Sequence, residues 1–463
     1  MHHTGRVNLV VACGLIALIP LSACSGSGNR NVSSTAVPTT AVITTTTAAP
    51  AVGTVTRTNC GDIECGVVRV PATHRDPAGG LISVSVYSRK AALPRIGTLM
   101  LLPDYDGPTA RDLATMPTAW VGSAARQFDV VAVSPRGFYD SSPLPCTLTV
   151  PYIAPEQDAS AASTACRSNA SLQSSSYGVI ESVADLEMIS SALGTGPVSV
   201  VGWGRGATIA ATWKLLHPGS MSQVVLDSPD DPGIPQVRVA AMNRSAQDAG
   251  VSAAMEWCTS HISCPLFENA GKRVDLVMAH IREGRTNAGA TMATFRLAFL
   301  NALTTGDFGS LFGALAKAEN DDYADLVAVA GTGAAGAAVR VAARIAGACS
   351  DLSAADAEAL VNDDASFEET LFRIGYGDTF ARVCTGMPES ADPLGFVTAA
   401  DGARGARVQV FVSATDGVTS PAMVQAFAKR AAWKFRAVKS DGHLVVGRDR
   451  TTTEWVSNFL RGS

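Results

Sequence analysis

The spacing of apolar and polar positions changes character several times along the chain. An apolar run from Leu9 to about Ile19 follows Arg6 and leads into Leu21-Ser22-Ala23-Cys24. Residues 25 to about 56 are almost wholly Ser, Thr, Ala, Pro, Gly and Val, including Thr44-Thr45-Thr46-Thr47. Short β-type runs follow, Leu81 to Tyr87, Thr98 to Leu102 and Asp129 to Val133, separated by Gly/Pro-rich turns. The period then lengthens: Val183, Leu186, Ile189 and Leu193 recur at three- and four-residue steps, which predicts one apolar helix face over Glu181 to Leu193. A buried-type strand from Val198 to Gly202, a helix from about Arg205 to Leu216 and a strand from Gln223 to Asp227 come next. Strand, helix, strand in this order implies a right-handed parallel crossover in a sheet covered on both faces. From Pro229 to about Gly402 the pattern is mostly helical, and the β/α rhythm returns with Arg407 to Ser413, Pro421 to Ala431, Lys434 to Val438 and Thr453 to Leu460. The expected fold class is α/β, a mostly parallel sheet flanked by helices with an inserted helical lid.

The corresponding organisation is a leader over 1–23, a flexible tether over 24–56, a first core part over 57–228, a helical lid over 229–402 and a second core part over 403–463. The leader resembles a bacterial lipoprotein signal peptide, and Leu21-Ser22-Ala23-Cys24 is similar to a lipobox, in which the cysteine is diacylated and begins the mature chain. The apolar run falls short of the roughly 20 residues a bilayer span needs. The expectation is an exported protein anchored to the outer face of the cell membrane by lipid on Cys24. The tether lacks the apolar surface to offset its ordering entropy, so the folded part can stand off the bilayer.

Hydrophobic residues at 47% and charged residues at 17% describe a well-buried globular protein. A net charge of −5 without a long basic run argues against nucleic-acid binding. The Ala/Gly-rich stretch from Val327 to Cys349 contains Arg340 and Arg344, which favours a packed helix over a membrane span. Of ten cysteines, Cys13 and Cys24 belong to the leader. The others fall in short-range pairs, Cys60 with Cys65, Cys146 with Cys166, Cys258 with Cys264 and Cys349 with Cys384, and in an exported chain these read as disulfide candidates. Sequential pairing is the expectation, although sequence alone does not choose among connectivities. Metal binding is a weak alternative, because only His261 lies near any of these cysteines. No metal or other cofactor is expected.

The turn between the strand ending near Gly202 and the next helix reads Gly202-Trp203-Gly204-Arg205-Gly206. In α/β-hydrolases this turn is Gly-x-Ser-x-Gly, and the serine is the nucleophile. Here the flanking glycines are present and Gly204 takes the serine's place. At this point the chain resembles the exported tripeptidyl-aminopeptidase-like hydrolases of actinobacteria, in the proline-iminopeptidase group. The resemblance runs from about Asn59 to the C-terminus. It rests on Phe128-Asp129-Val130-Val131-Ala132-Val133-Ser134-Pro135-Arg136-Gly137, with Ser134 where an Asp is usual, and on Cys146, Asp185-Leu186, Leu193-Gly194 and Val224-Val225-Leu226-Asp227. Trp257-Cys258, Cys264-Pro265, Cys349-Ser350-Asp351 and Cys384 with Pro388 look like its lid cysteine segments.

The resemblance implies an α/β-hydrolase fold and carries over two more positions. Asp416, in Asp416-Gly417-Val418-Thr419-Ser420-Pro421, matches the acid that orients the histidine, and His443, in Asp441-Gly442-His443, matches the base. The family's Gly-Gly-Pro-Gly turn, which supplies an N–H to the oxyanion, is replaced by Pro103-Asp104-Tyr105-Asp106-Gly107-Pro108. Carboxylates there would oppose developing negative charge. Asp104 or Asp106 could instead bridge to the Arg205 guanidinium across the oxyanion site.

Glycine cannot form an acyl-enzyme, and loss of the nucleophile costs on the order of 10⁶ in turnover. The expected function is therefore a membrane-anchored, catalytically inactive pseudo-hydrolase that binds a peptide, ester or protein ligand in its cleft. The alternative is an exported peptidase or esterase that uses activated water or a non-standard nucleophile. Thr208 is the nearest hydroxyl, but it lies one helical turn on and is expected to point away.

Overall fold

The computed structural model describes residues 52–138, 140–143, 176–331, 337–363, 384, 392–404 and 407–462. The leader, Cys24, most of the tether, Cys146 and Cys166 lie outside the described residues. Burial along the first strands follows the period of a half-covered sheet. In β2 (Glu64–Thr73), paired to β1 (Val55–Asn59), Gly66, Val68, Val70 and Ala72 turn inward while Val67 and Arg69 are less buried. A long β3 (Asp76–Arg89) continues this antiparallel edge. The next strands are buried almost throughout: β4 (Gly97–Leu102), β5 (Phe128–Val133), β6 (Val198–Trp203), β7 (Met221–Asp227) and β8 (Val408–Ser413). With β9 (Lys434–Val438) they complete a nine-stranded sheet in the order β1-β2-β3-β5-β4-β6-β7-β8-β9. Every pairing from β5 to β9 is parallel. The strands β1 and β2 have no counterpart among the expected runs.

Helices cover both faces. Ahead of β7 lie α1 (Ala110–Thr115), α2 (Pro117–Val121), α3 (Val179–Leu193) and α4 (Gly204–Leu216). Between β7 and β8 come α5 (Gln236–Ser260), α6 (Ala270–Arg282), α7 (Met292–Thr305), α8 (Phe308–Ala318), α9 (Ala324–Ala330), α10 (Ala337–Asp351) and α11 (Ala354–Asp363). The chain closes with α12 (Pro421–Ala431) and α13 (Arg450–Arg461). The alternation of β4 splits the core: Met100 and Leu102 pack with α3, α4 and α12, whereas Leu99 and Leu101 pack with α1 and α13. Helices α5 to α9 have a separate core that includes Phe295, Phe299, Phe312 and Tyr323.

The apolar stretch from Val327 to Cys349 is interrupted at Gly331, which caps α9 with φ +67°. Among the described residues no helix is long and apolar enough to cross a membrane. Disulfides join Cys60 to Cys65, Cys258 to Cys264 and Cys349 to Cys384. His261, between the second pair, stacks on Trp257 with ring centroids 4.6 Å apart. At the end of β5 the fully buried Arg136 side chain donates from Nε to Asp185 on α3 at 2.7 Å and from Nη1 to the Ser176 carbonyl at 2.7 Å. This ties the loop after β5 to the helix that precedes β6.

Candidate active site

The turn from β6 into α4 has no intervening loop, since Trp203 ends the strand and Gly204 begins the helix. Its three glycines serve different needs. A Cβ at Gly202 would meet the Gly206 carbonyl oxygen at 2.5 Å, and one at Gly206 would meet the Leu102 carbonyl carbon at 2.5 Å, so both permit close backbone approach. Gly204 has φ +46°, which disfavours a side chain, and its Cβ would in addition meet Asp104 Cγ at 2.5 Å. The space a residue-204 side chain would enter is filled by a carboxylate from the loop after β4.

That carboxylate is held from the helix end. The Arg205 backbone N–H donates to Asp104 Oδ1 at 2.8 Å, and the Asp106 N–H donates weakly to Oδ2 at 3.5 Å. Asp104 is buried, with 7% of its surface exposed. The expected bridge from Asp104 or Asp106 to the Arg205 guanidinium does not form. The N–H of Arg205 points back along α4 to the strand ends, while its side chain leaves toward α10 and donates to Asp351. Asp106 pairs with Arg344 on the same helix. Tyr105 stacks on Phe138 at 4.6 Å and lies under the Arg344 guanidinium. Gly347 lets α10 approach this loop, for its Cβ would collide with the Tyr105 hydroxyl. A Cβ at Gly107 would meet Asp104 only at ordinary van der Waals distance.

The loops after β8 and β9 bring Asp416 and His443 together. Asp416 Oδ1 accepts the N–H groups of Val418 and Thr419, each at 2.9 Å, and Oδ2 accepts from His443 Nδ1 at 2.8 Å. His443 Nε2 faces Asp104 Oδ2 at 4.0 Å. Burial alone would lower the histidine pKa. The Asp416 charge and hydrogen bond, followed by the charges of Asp104 and Asp227, outweigh this and hold it at about 9. His443 is therefore an imidazolium at neutral pH, with both ring nitrogens protonated. Asp227, at the end of β7, accepts the Val445 and Val446 N–H groups at 2.7 Å each and fixes the histidine loop. Burial raises its carboxyl to about 6 despite those bonds.

Neighbouring hydroxyls are already engaged. Thr208 Oγ1 donates to the Gly204 carbonyl at 3.2 Å and accepts the Asp230 N–H at 3.0 Å. Ser228, at φ +54°, donates to Asp416 Oδ2 at 3.0 Å or Asp227 Oδ1 at 3.2 Å. A cavity of about 210 Å³ opens over this cluster, lined by Asp104, Tyr105, Gly204, Arg205 and His443 together with residues of the helical insertion. The insertion contributes polar residues that the sequence did not mark as site residues, among them Asp230, Gln247, Arg344 and Asp351. Only Asp351 lies in a segment that sequence motifs had picked out.

The sequence profile of the α/β hydrolase fold matches residues 115–446. The chain belongs to the α/β-hydrolase fold family. Among characterised proteins it is similar to serine protease Hip1 of Mycobacterium tuberculosis and of Mycobacterium bovis, 23% identical over 240 residues, covering 47% of this chain and 45% of theirs. The chain thus matches less than half the length of these relatives. Among solved structures, a hydrolase from Oleispira antarctica aligns over 82% of this chain and 94% of its own at 13% identity and a TM-score of 0.37. An enol-lactonase from Burkholderia xenovorans LB400 aligns over 82% and 97% at 12% identity and a TM-score of 0.40.

In this family the residue on the β6–α4 turn carries the attacking oxygen, and the backbone N–H after it holds the oxyanion. In this α/β-hydrolase the turn carries no oxygen, and the N–H of Arg205 is bonded to the chain's own Asp104.

Proposed function

We propose that this is an exported, membrane-anchored lipoprotein of the tripeptidyl-aminopeptidase-like kind. It has lost serine-type acyl transfer and uses its cleft to bind a peptide, ester or protein ligand. Its anchor is lipid on Cys24. The observation that carries the reading is the Asp104 carboxylate, which overlaps the space of any side chain at 204 and accepts the Arg205 N–H. A substrate carbonyl finds no oxygen to attack it, an anion where its own oxygen would go, and an imidazolium that cannot take a proton. All three oppose acyl transfer, and the last two are linked, because the Asp104 charge helps to keep His443 protonated.

The test is a serine-reactive fluorophosphonate applied to the purified protein, with and without a competing peptide. No labelling is expected. Labelling that the peptide suppresses would overturn the reading. For the anchor, Cys24→Ala is expected to move the protein from the membrane fraction to the medium, and retention of the variant on the membrane would count against it.

A further inference from the structure

The cleft occupies the carboxyl ends of the parallel strands, since Asp104, Gly204, Asp416 and His443 follow β4, β6, β8 and β9. The opposite end of the sheet carries a surface of another kind. There the loop from β3 to β4 reads Arg89-Lys90-Ala91-Ala92-Leu93-Pro94-Arg95-Ile96, and residues 92–96 are all exposed. Leu93 is 42% exposed and Ile96 51%, while Met116, between α1 and α2, is 55% exposed. Single apolar residues at a surface are ordinary. These two sit on a loop that is fixed in place. Asp129 Oδ1 accepts the Ala91 N–H at 3.0 Å, and its Oδ2 accepts from Lys90 Nζ at 3.2 Å and from Arg95 Nε at 3.1 Å. The Leu93 and Ile96 N–H groups donate to the Arg126 and Gln127 carbonyls at 2.8 Å each. The loop's backbone is tied to the start of β5 while its apolar side chains stay in water.

Cations surround these side chains. A groove of about 500 Å³ beside the loop is lined by Arg89, Lys90, Arg126 and Met116, and no acid lines it. Over residues 88–98 and 123–130 four cations stand against the single carboxylate of Asp129, in a chain whose net charge is −5. The local charge is thus opposite in sign to that of the whole molecule. An acidic protein would answer the charge, but a protruding apolar loop needs a partner that yields around it. A bilayer with anionic headgroups offers phosphates to the cations and hydrocarbon to Leu93, Ile96 and Met116.

We propose that this end of the sheet rests on an anionic bilayer, which holds the cleft facing away from the membrane. The proposal rests on the reading of the chain as membrane-anchored and adds the face that meets the lipid. About 30 residues lie between Cys24 and β1, and a coil of that length spans on the order of 30 Å. A lipid on Cys24 therefore retains the protein without choosing its orientation, and the basic, apolar surface chooses it. The cleft then receives its ligand from the aqueous side rather than from the bilayer.

The experiment sediments the full chain carrying Cys24→Ala with vesicles of phosphatidylglycerol mixed with phosphatidylcholine, and with vesicles of phosphatidylcholine alone. Binding to the anionic vesicles is expected, with little to the neutral ones, and it should be lost at about 1 M salt, where the screening length falls to about 3 Å. In the same background Lys90→Ala combined with Arg126→Ala should weaken it about 25-fold, at about fivefold for each charge. Leu93→Ser combined with Ile96→Ser should also weaken it, whereas Ile262→Ser, on the helical insertion and 90% exposed, should leave it unchanged. Amide exchange of the unsubstituted chain, slowed over residues 90–96 by anionic vesicles alone, locates the contact should a variant fail to fold. Absence of binding to the anionic vesicles would overturn the inference and point to an acidic protein partner instead. Binding that salt and both paired variants leave intact, or slowed exchange at the cleft loops in place of residues 90–96, would overturn it too. The anchor is read separately: retention of Cys24→Ala on cell membranes through a high-salt wash counts against the lipid, whereas lost vesicle binding sinks the surface and leaves the lipid standing.

Discussion

Gly204 and Asp104 occupy one space, and a substitution at either is felt by the other. A serine at 204 would adopt φ near +46° and would meet Asp104 Cγ at 2.5 Å from its Cβ. Backbone strain of this kind costs about 1–3 kcal/mol, and displacing the buried carboxylate adds to it. Gly204→Ser is therefore expected to lower the thermal midpoint and to show no ester turnover. Adding Asp104→Gly removes the overlap, frees the Arg205 N–H and takes one negative charge from His443, so the imidazole pKa should fall. The double variant should lose less stability than the two single variants summed, and any turnover should appear there first. A double-mutant cycle from urea denaturation with an ester assay checks both halves, and an additive cycle would show that the two side chains do not compete.

At the scale of elements, the helical insertion is attached to the turn through one carboxylate. Asp351, at the end of α10, accepts the Arg205 guanidinium from α4 and the Val179 N–H at the start of α3 at 2.8 Å. Asp351→Ala would leave a largely buried cation short of its partner, at a cost of about 3 kcal/mol, with faster amide exchange at Val179 as the local signature. The disulfides differ in reach. Cys349–Cys384 spans 35 residues and Cys60–Cys65 only 5, so by loop entropy removing the former should cost about 4 kcal/mol and the latter about 2. Serine pairs at each bridge, compared by urea midpoint, test the ranking. The same contrast between local and distant contacts explains what could be read from the sequence. Strands β4 to β8 are buried along nearly their whole length and stand out as apolar runs, whereas β1 and β2 are half exposed and interrupted by charge, so they did not. Asp416 and His443 could be paired in advance because each sits in a short motif after a strand. The partner of Arg205 could not, since Asp351 lies 146 residues on and reaches it only because α10 folds back over the turn.

Across the whole molecule the charge balance is mildly acidic, at −5, yet the site concentrates buried charge of both signs. His443 is faced by Asp416, Asp104 and Asp227, with Asp230 also within electrostatic reach, and its backbone carbonyl accepts from Arg448 Nη1 at 2.5 Å. Its pKa is about 9 when folded against 6.5 as the ordinary value, so between those limits the folded state binds more protons than the unfolded one. Stability from this group is then fully present below pH 6.5 and is lost as pH rises through 9. The shift corresponds to about 3 kcal/mol over the window. Asp227 has the same sign at lower pH, since its carboxyl is raised from 3.8 to about 6. Urea midpoints taken from pH 6 to pH 10 should fall steadily for the wild type. His443→Gln keeps a polar side chain without the titration, and its midpoints should be lower near pH 6 but nearly flat across the window. A wild-type profile already flat there would mean that the imidazole is neutral in the folded protein, and with it would go the argument that His443 is unable to act as a base.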